Sequence, residues 1–322
     1  MRPIMLANHL QVTCELLALS RPYRPIKAAH NHGKIEPHLQ FIGSTTRTNS
    51  HLIMHTPITY YGGKQKLADI ILKLIPRHRI YCEPFFGGGA IFFAKQPSFL
   101  EAINDKNDLL ITFYHQCVDN FQQLQHRVQT TLHSESEYKQ AQAIYNNPHN
   151  HAPIDIAWAV WMCTNMSIMA TPGGGWKHDN GTGGSHIGIG TDNHRRHFTA
   201  AIHRRLQHVQ ISCHDALDVI RERDTTDTFF YLDPPYMNAD QKHYSGYTTV
   251  DFRQLLEILQ NISGKFLLSN FHSTILSDYA TKNNWLVQEI HRKCSFPHLK
   301  SKPRNKTEVL VRNYTLDTTL FD

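Results

Sequence analysis

No apolar run in this 322-residue chain approaches the length of a membrane span, so no helix crossing a bilayer is expected. The leucines near the N-terminus are interrupted by Asn8, His9, Gln11, Thr13 and Glu15, a poor core for a signal peptide. C-x-x-C pairs are missing. Cys14, Cys82, Cys117, Cys163, Cys213 and Cys294 lie scattered, which suits free thiols in a reducing cytoplasm rather than a disulfide framework or a zinc site. The 23 histidines do not fall at metal-ligand spacing, and no metal is expected. A G-x-G-x-x-G turn is also absent, which disfavours a nicotinamide oxidoreductase. Acidic residues are outnumbered, giving a net charge of +6. Residues 1–50 hold most of that excess, with Arg2, Arg21, Arg24, Lys27, Lys34 and Arg47 against Glu15 and Glu36. Any nucleic-acid footprint on the remainder is therefore a local patch.

What is present centres on Asp233-Pro234-Pro235-Tyr236, which follows the apolar run 228–232. That run reads as a buried strand. Two prolines fix φ and remove backbone donors, so the chain leaves the sheet in a stiff extended turn. A carboxylate, carbonyl oxygens and an aromatic ring then sit at the carboxyl end of a strand, where open α/β sheets bind ligands. Such a corner can accept both hydrogens of a neutral amino group and stack on the base that carries it.

Residues 1–55 lack sustained periodicity and read as a poorly ordered extension, with Met54 a second candidate start and the preceding residues expected to be dispensable. Tyr60-Tyr61-Gly62-Gly63-Lys64 makes a tight turn before helical spacing at Leu67, Ile70, Ile71, Leu74 and Ile75. Residues 80–90 read as a strand ending in Glu83, a turn holding Phe85, Gly87 and Gly89, and a helix start whose free N–H groups suit a ligand carboxylate. A second strand ends at Asn104-Asp105. Asp105 stands where a ribose diol is held, but it or Asp108 also suits the cap of the next helix.

Residues 119–170 read as mostly helical, with Phe121, Leu124, Val128 and Leu132 on one face, a capping box at Ser134 and Glu137, and Pro153 opening a further helix. The glycine-rich segment 171–192 reads as a flexible loop presenting Trp176 and Lys177. After it, Arg195, Arg196, Arg204 and Arg205 are expected to face away from the core of one helix as a phosphate-contacting strip. Residues 209–213, 265–270, 285–290 and 308–314 read as further strands, and 241–247 as a loop able to close over a substrate. The connection between the last two strands carries Lys300, Lys302 and Arg304, a basic run that suits either DNA contact or a solvated hairpin.

Together, YYGGK (60–64), EPFFGGG (83–89), NDKN (104–107), DPPY (233–236) and EVLVRNY (308–314) resemble, in that order, the N6-adenine DNA methyltransferases of the Dam family. The resemblance implies an α/β, Rossmann-like, S-adenosylmethionine-dependent methyltransferase sheet with helices on both faces. Residues 56–118 and 209–322 would form the catalytic domain and 119–208 an inserted, mostly helical target-recognition domain. By the same resemblance Tyr60, Lys64, Phe85, Gly87, Gly89, Asp105, Asp215 and Asp233 bind S-adenosylmethionine. The family more often carries Trp where Tyr60 stands. Asp233, Pro234, Pro235 and Tyr236 would be catalytic, and Trp176, Lys177, Arg195, Arg196, Lys300, Lys302 and Arg304 would contact DNA. The implied reaction is site-specific methylation of adenine N6 in double-stranded DNA, with the base flipped out. It needs no covalent enzyme intermediate, no metal and no obligate protein partner, and leaves a restriction endonuclease partner open. Cytosine-N4 methylation, RNA adenine methylation and a silent DNA-binding regulator are the competing readings. The recognition sequence and oligomeric state are not legible.

Overall fold

The computed structural model of the chain describes residues 54–180, 186–236, 247–291 and 307–316. Among these, seven strands form one sheet: β1 (Ile80–Glu83), β2 (Leu100–Asn104), β3 (Gln210–Ser212), β4 (Thr228–Leu232), β5 (Lys265–Phe271), β6 (Leu286–His291) and β7 (Thr307–Arg312). Their order is β3-β2-β1-β4-β5-β7-β6. The first five pair in parallel, and β7 lies antiparallel between β5 and β6. This is the Rossmann-like sheet expected from the motifs. The strand order reverses between β1 and β4, so a crevice opens at their carboxyl ends.

The described helices are α1 (Ala68–Leu72), α2 (Ala90–Ala94), α3 (Asp108–Asp119), α4 (Phe121–Thr130), α5 (Glu135–Asn146), α6 (Pro153–Asn165), α7 (Ile187–His197), α8 (Ala200–Leu206), α9 (Ala216–Arg223), α10 (Thr249–Leu259) and α11 (Thr274–Lys282). The pleat sorts the sheet's side chains into two cores. Phe229, Tyr231, Leu267 and Leu310 join α1, α2 and the helices after β2. Phe230, Leu232, Phe266, Leu268 and Val309 join α9, α10 and α11. Cover on both faces explains why β4 is buried at every position rather than alternating.

Helices α3 to α8 fill the connection between β2 and β3. At their centre α6, opened by Pro153 at its first turn, is buried from Ala157 to Asn165 and packs on α3 and α5. Arg205 of α8 does not face solvent as expected. Its guanidinium bonds Glu101 on β2 (2.9 Å) and the Phe92 carbonyl (3.0 Å), and lies over the Phe92 ring. Lys95 completes this buried cluster at Glu101.

Other local departures have physical causes. The arginine-bearing stretch is two helices broken at Phe198 and Thr199, because burying the Phe198 ring turns the chain. The first of them starts inside the glycine-rich segment, capped by the His186 side chain on the Gly188 N–H. Leu132 lies beyond α4 and is 64% exposed, while Thr131 takes the inward place and accepts from Trp158 Nε1. Ser134 caps α5, but Glu137 accepts from the Leu132 N–H instead of closing a capping box. A reciprocal box does form at Thr248 and Asp251 of α10. Asn107, neither Asp105 nor Asp108, caps α3.

Candidate active site

Three loops meet at the crevice, and the buried side chain of Asn104 stitches them together. Its amide donates to the carbonyls of Pro84 and His214, and its oxygen accepts from Ser212 Oγ and the His214 N–H. The ends of β1, β2 and β3 are therefore held as one rim. Asp105 sits beside it. One carboxylate oxygen accepts from the Gly87 N–H (2.8 Å), the other from the Asn107 N–H (2.9 Å). Burial raises its pKa, and these donors partly offset that. Gly87 and Gly89 both hold positive φ, and a Cβ on Gly89 would lie 2.5 Å from the Phe86 ring. Only glycine makes this turn without strain. Tyr60 packs on Gly87 and Gly88 from outside, and Tyr114 Oη donates to the Gly87 carbonyl.

Lys64 enters from the loop before α1 and is 5% exposed. Its Nζ donates to both oxygens of Asp233 at 2.7 Å, sits 3.6 Å from Glu308 and lies 4.8 Å from the centre of the Tyr236 ring. Burial raises the Asp233 pKa, Lys64 lowers it, and Glu308 raises it again. Tyr236 Oη donates to Glu308 Oε1 (2.7 Å) and meets Ser269 Oγ (3.0 Å). Glu83, at the end of β1, is pushed up to about 8 by burial. One of its oxygens accepts from Tyr81 Oη.

These groups surround a cavity of about 630 Å³. Tyr60, Lys64, Phe85, Gly87, Gly89, Asp105, Asp215 and Asp233 all line it, so the structure brings together every residue expected at the cofactor. Pro235 lines it too, while Pro234 is buried behind and Tyr236 reaches across to β5 and β7. Asp215 also caps α9 and pairs with Lys106. Carboxylates dominate the wall: Glu83, Asp105, Asp215, Asp233 and Asp251 face Lys64 and Lys106. In a basic protein that wall suits a cationic ligand. Three buried polar atoms at the wall, Glu83 Oε2, Tyr231 Oη and Tyr247 Oη, have no partner among the described residues. The residues thus fit S-adenosylmethionine, whose ammonium and sulfonium seek anions and whose ribose diol seeks acceptors.

The residues expected at DNA form a separate group on the helical insertion. Trp176 sits at the base of a short antiparallel turn, paired with Ser167. It packs on His133, which also hydrogen-bonds Thr191 of α7. Lys177 is exposed beside it, and Arg196 pairs with Asp192. Lys300, Lys302 and Arg304, the loop at 241–246, residues 181–185 and residues 1–53 lie outside the described residues. Among the described residues no group of three His, Cys, Asp or Glu side chains is placed to hold a metal ion, and no helix is long and apolar enough to cross a membrane.

The profile of the D12 class N6 adenine-specific DNA methyltransferases matches residues 60–165 and 186–296. The chain belongs to this family. Among its relatives, the type II methyltransferase M1.LlaDCHI of Lactococcus lactis subsp. cremoris is 26% identical over 271 residues, covering 79% of this chain and 93% of that one. Modification methylase StsI of Streptococcus sanguinis is 24% identical over 290 residues, 82% of this chain but 43% of that longer protein. Among solved structures, a precorrin-6y C5,15-methyltransferase from Geobacter metallireducens GS-15 aligns over 77% of this chain and 86% of its own at 6% identity and a TM-score of 0.34. The rRNA methyltransferase AviRa of Streptomyces viridochromogenes aligns over 82% and 90% at 12% and 0.32. At such scores the fold stands on strand order alone. As a member of this methyltransferase family, the chain uses S-adenosylmethionine.

Four residues of this site were not singled out from the sequence: Asn104, Glu83, Ser269 and Glu308. An acid just ahead of the aliphatic run 309–311 was the visible signal for Glu308, as an acid closing a strand was for Glu83.

Proposed function

We propose that this protein is a site-specific DNA-methyltransferase (adenine-specific) acting on double-stranded DNA. The observation that carries this reading is the Asp233 carboxylate, fixed by Lys64 at the end of β4 and facing the shared cavity. The target adenine is inaccessible in a duplex, so it is flipped into the crevice. Asp233 and the Pro234 carbonyl accept the N6 hydrogens, which leaves electron density on nitrogen and aims its lone pair along the cavity. An ionised carboxylate has about four acceptor sites, so Asp233 can serve Lys64 and the amine together. Tyr236 stacks on the base. S-adenosylmethionine, when bound, supplies a methyl group activated by its sulfonium. Asp105 accepts from the ribose hydroxyls, Asp215 from the cofactor's adenine amine, and Tyr60, Phe85, Gly87 and Gly89 shape the surface on which it lies. Pro235 stiffens the corner.

Residues 119–208 are proposed to read the target, with Trp176, Lys177, Arg195 and Arg196 on that element and Lys300, Lys302 and Arg304 contacting phosphate. The kinship with a type II methyltransferase and a modification methylase favours a role beside a restriction endonuclease. Replacing Asp233 by Ala tests the assignment. Methyl transfer should fall by several orders of magnitude while cofactor binding, measured by calorimetry, persists in part. Turnover at the unmodified rate would refute it.

A further inference from the structure

We propose that Glu308 on β7 and Ser269 on β5 are positioning residues that lock the ring of Tyr236 in place before the base arrives. The inference builds on the reading that Tyr236 stacks on the flipped adenine. Tyr236 follows two prolines at the mouth of the sheet, and nothing in its local sequence fixes the ring's orientation. The tether comes from two strands farther along the sheet. Glu308 Oε1 accepts from Tyr236 Oη at 2.7 Å and from Ser269 Oγ at 2.8 Å, and Tyr236 Oη and Ser269 Oγ are 3.0 Å apart. These three oxygens close a triangle at one end of the ring. At its side, the Phe271 ring meets it edge-on with centroids 4.4 Å apart.

Packing does not ask for an acid at this point. Glu308 is 6% exposed and is followed along β7 by Val309, Leu310 and Val311, all buried aliphatics. A buried carboxylate carries a desolvation penalty that a valine there would avoid. What Glu308 does at that cost is hold the tyrosine hydroxyl and lie 3.6 Å from the Lys64 ammonium. A ring already fixed presents its face without losing rotational freedom when the base enters, so the benefit falls on base capture and orientation.

The test is a double-mutant cycle on the full chain, with duplexes carrying the methylated site as mapped from DNA modified in cells. Tyr236→Phe keeps the ring and removes the hydroxyl, and Glu308→Met keeps the side chain's length and removes the acceptor oxygens. Each should lower kcat/KM by about tenfold, and the double variant should be no worse than either alone. S-Adenosylmethionine affinity should stay within about twofold. With 2-aminopurine at the target position, each variant should need more enzyme to give the same fluorescence change. Full activity in Glu308→Met would overturn the proposal. So would losses that multiply in the double variant, because an effect running through Lys64 or through general stability persists when the hydroxyl is gone. Tyr236→Ala separates the two levels. If it is inactive while Glu308→Met and Ser269→Ala are unimpaired, the tether alone fails. If it is fully active, the stacking reading beneath it fails as well.

Discussion

Replacing Lys64 by Met removes the only cation bound to Asp233 among the described residues and leaves Asp233 and Glu308 facing each other without it. Breaking a buried pair by deleting one partner costs about 3–5 kcal/mol. The lower end applies here, because the Asp233 side chain is 21% exposed and can recover some hydration. The loss depends on pH, and its sign follows from the two opposing influences on Asp233. Burial raises the carboxyl and Lys64 lowers it. Without Lys64 the folded-state pKa climbs further above the unfolded value of about 3.9. The folded variant then binds more protons than the unfolded chain between those two values, so its stability falls as pH rises through them. Near pH 8 the variant should be about 3 kcal/mol less stable than the parent, a Tm lower by roughly 5–10 °C. At about pH 5 the gap should shrink, because protonating Asp233 relieves the unpaired charge at ~1.4 kcal/mol per pKa unit. Calorimetry of both proteins without cofactor at the two pH values measures this. A loss under about 1 kcal/mol at both, or a larger loss in acid, would refute the argument that Lys64 serves chiefly to neutralise this corner.

Other perturbations have equally direct readouts. Glu83, raised to about 8 when folded, makes the parent less stable as pH rises from near 4.5 to that value, because the unfolded carboxyl ionises first. Glu83→Gln should therefore gain on the parent by a few kcal/mol over that range (~1.4 per unit), and a pH-independent difference in urea midpoints would contradict the assignment. Gly89→Ala meets both a φ of +66° and the Phe86 ring at 2.5 Å. It should cost about 1–3 kcal/mol and weaken S-adenosylmethionine binding, both visible in a thermal-shift titration. Arg205→Met leaves Glu101 with Lys95 as its remaining cation and frees α8 from β2. About 3 kcal/mol should be lost in denaturant unfolding, whereas an exposed, phosphate-contacting Arg205 would instead change DNA affinity and leave stability untouched.

The parts of the fold legible in the sequence are those written locally. Runs such as 228–232 and 265–270 announce buried strands because both faces are covered, and the glycines at 87 and 89 announce a turn because other residues strain there. What escaped depends on partners far along the chain. Lys64 meets Asp233 across 169 positions, and no periodicity near Lys64 could point there. Tyr236 finds its hydroxyl partner 72 positions on, in a strand chosen by sheet order rather than by chain order. Arg205 looked like a surface cation because its own helix offers no acid, and Glu101 comes from β2, on the far side of the insertion. The early start of α7 was hidden by Gly188 and Gly190, which disfavour helix, and it is rescued by a side-chain cap from His186.

The central claim is that the corner at 233–236 directs a methyl group to an adenine amine. It is tested most directly by incubating purified protein with S-adenosylmethionine labelled in the methyl group and mixed-sequence duplex DNA, then digesting the DNA to nucleosides. The label should co-elute with N6-methyldeoxyadenosine and disappear when Asp233 is Ala. Label on cytosine, or none on any base from an enzyme that still binds the cofactor, would contradict it.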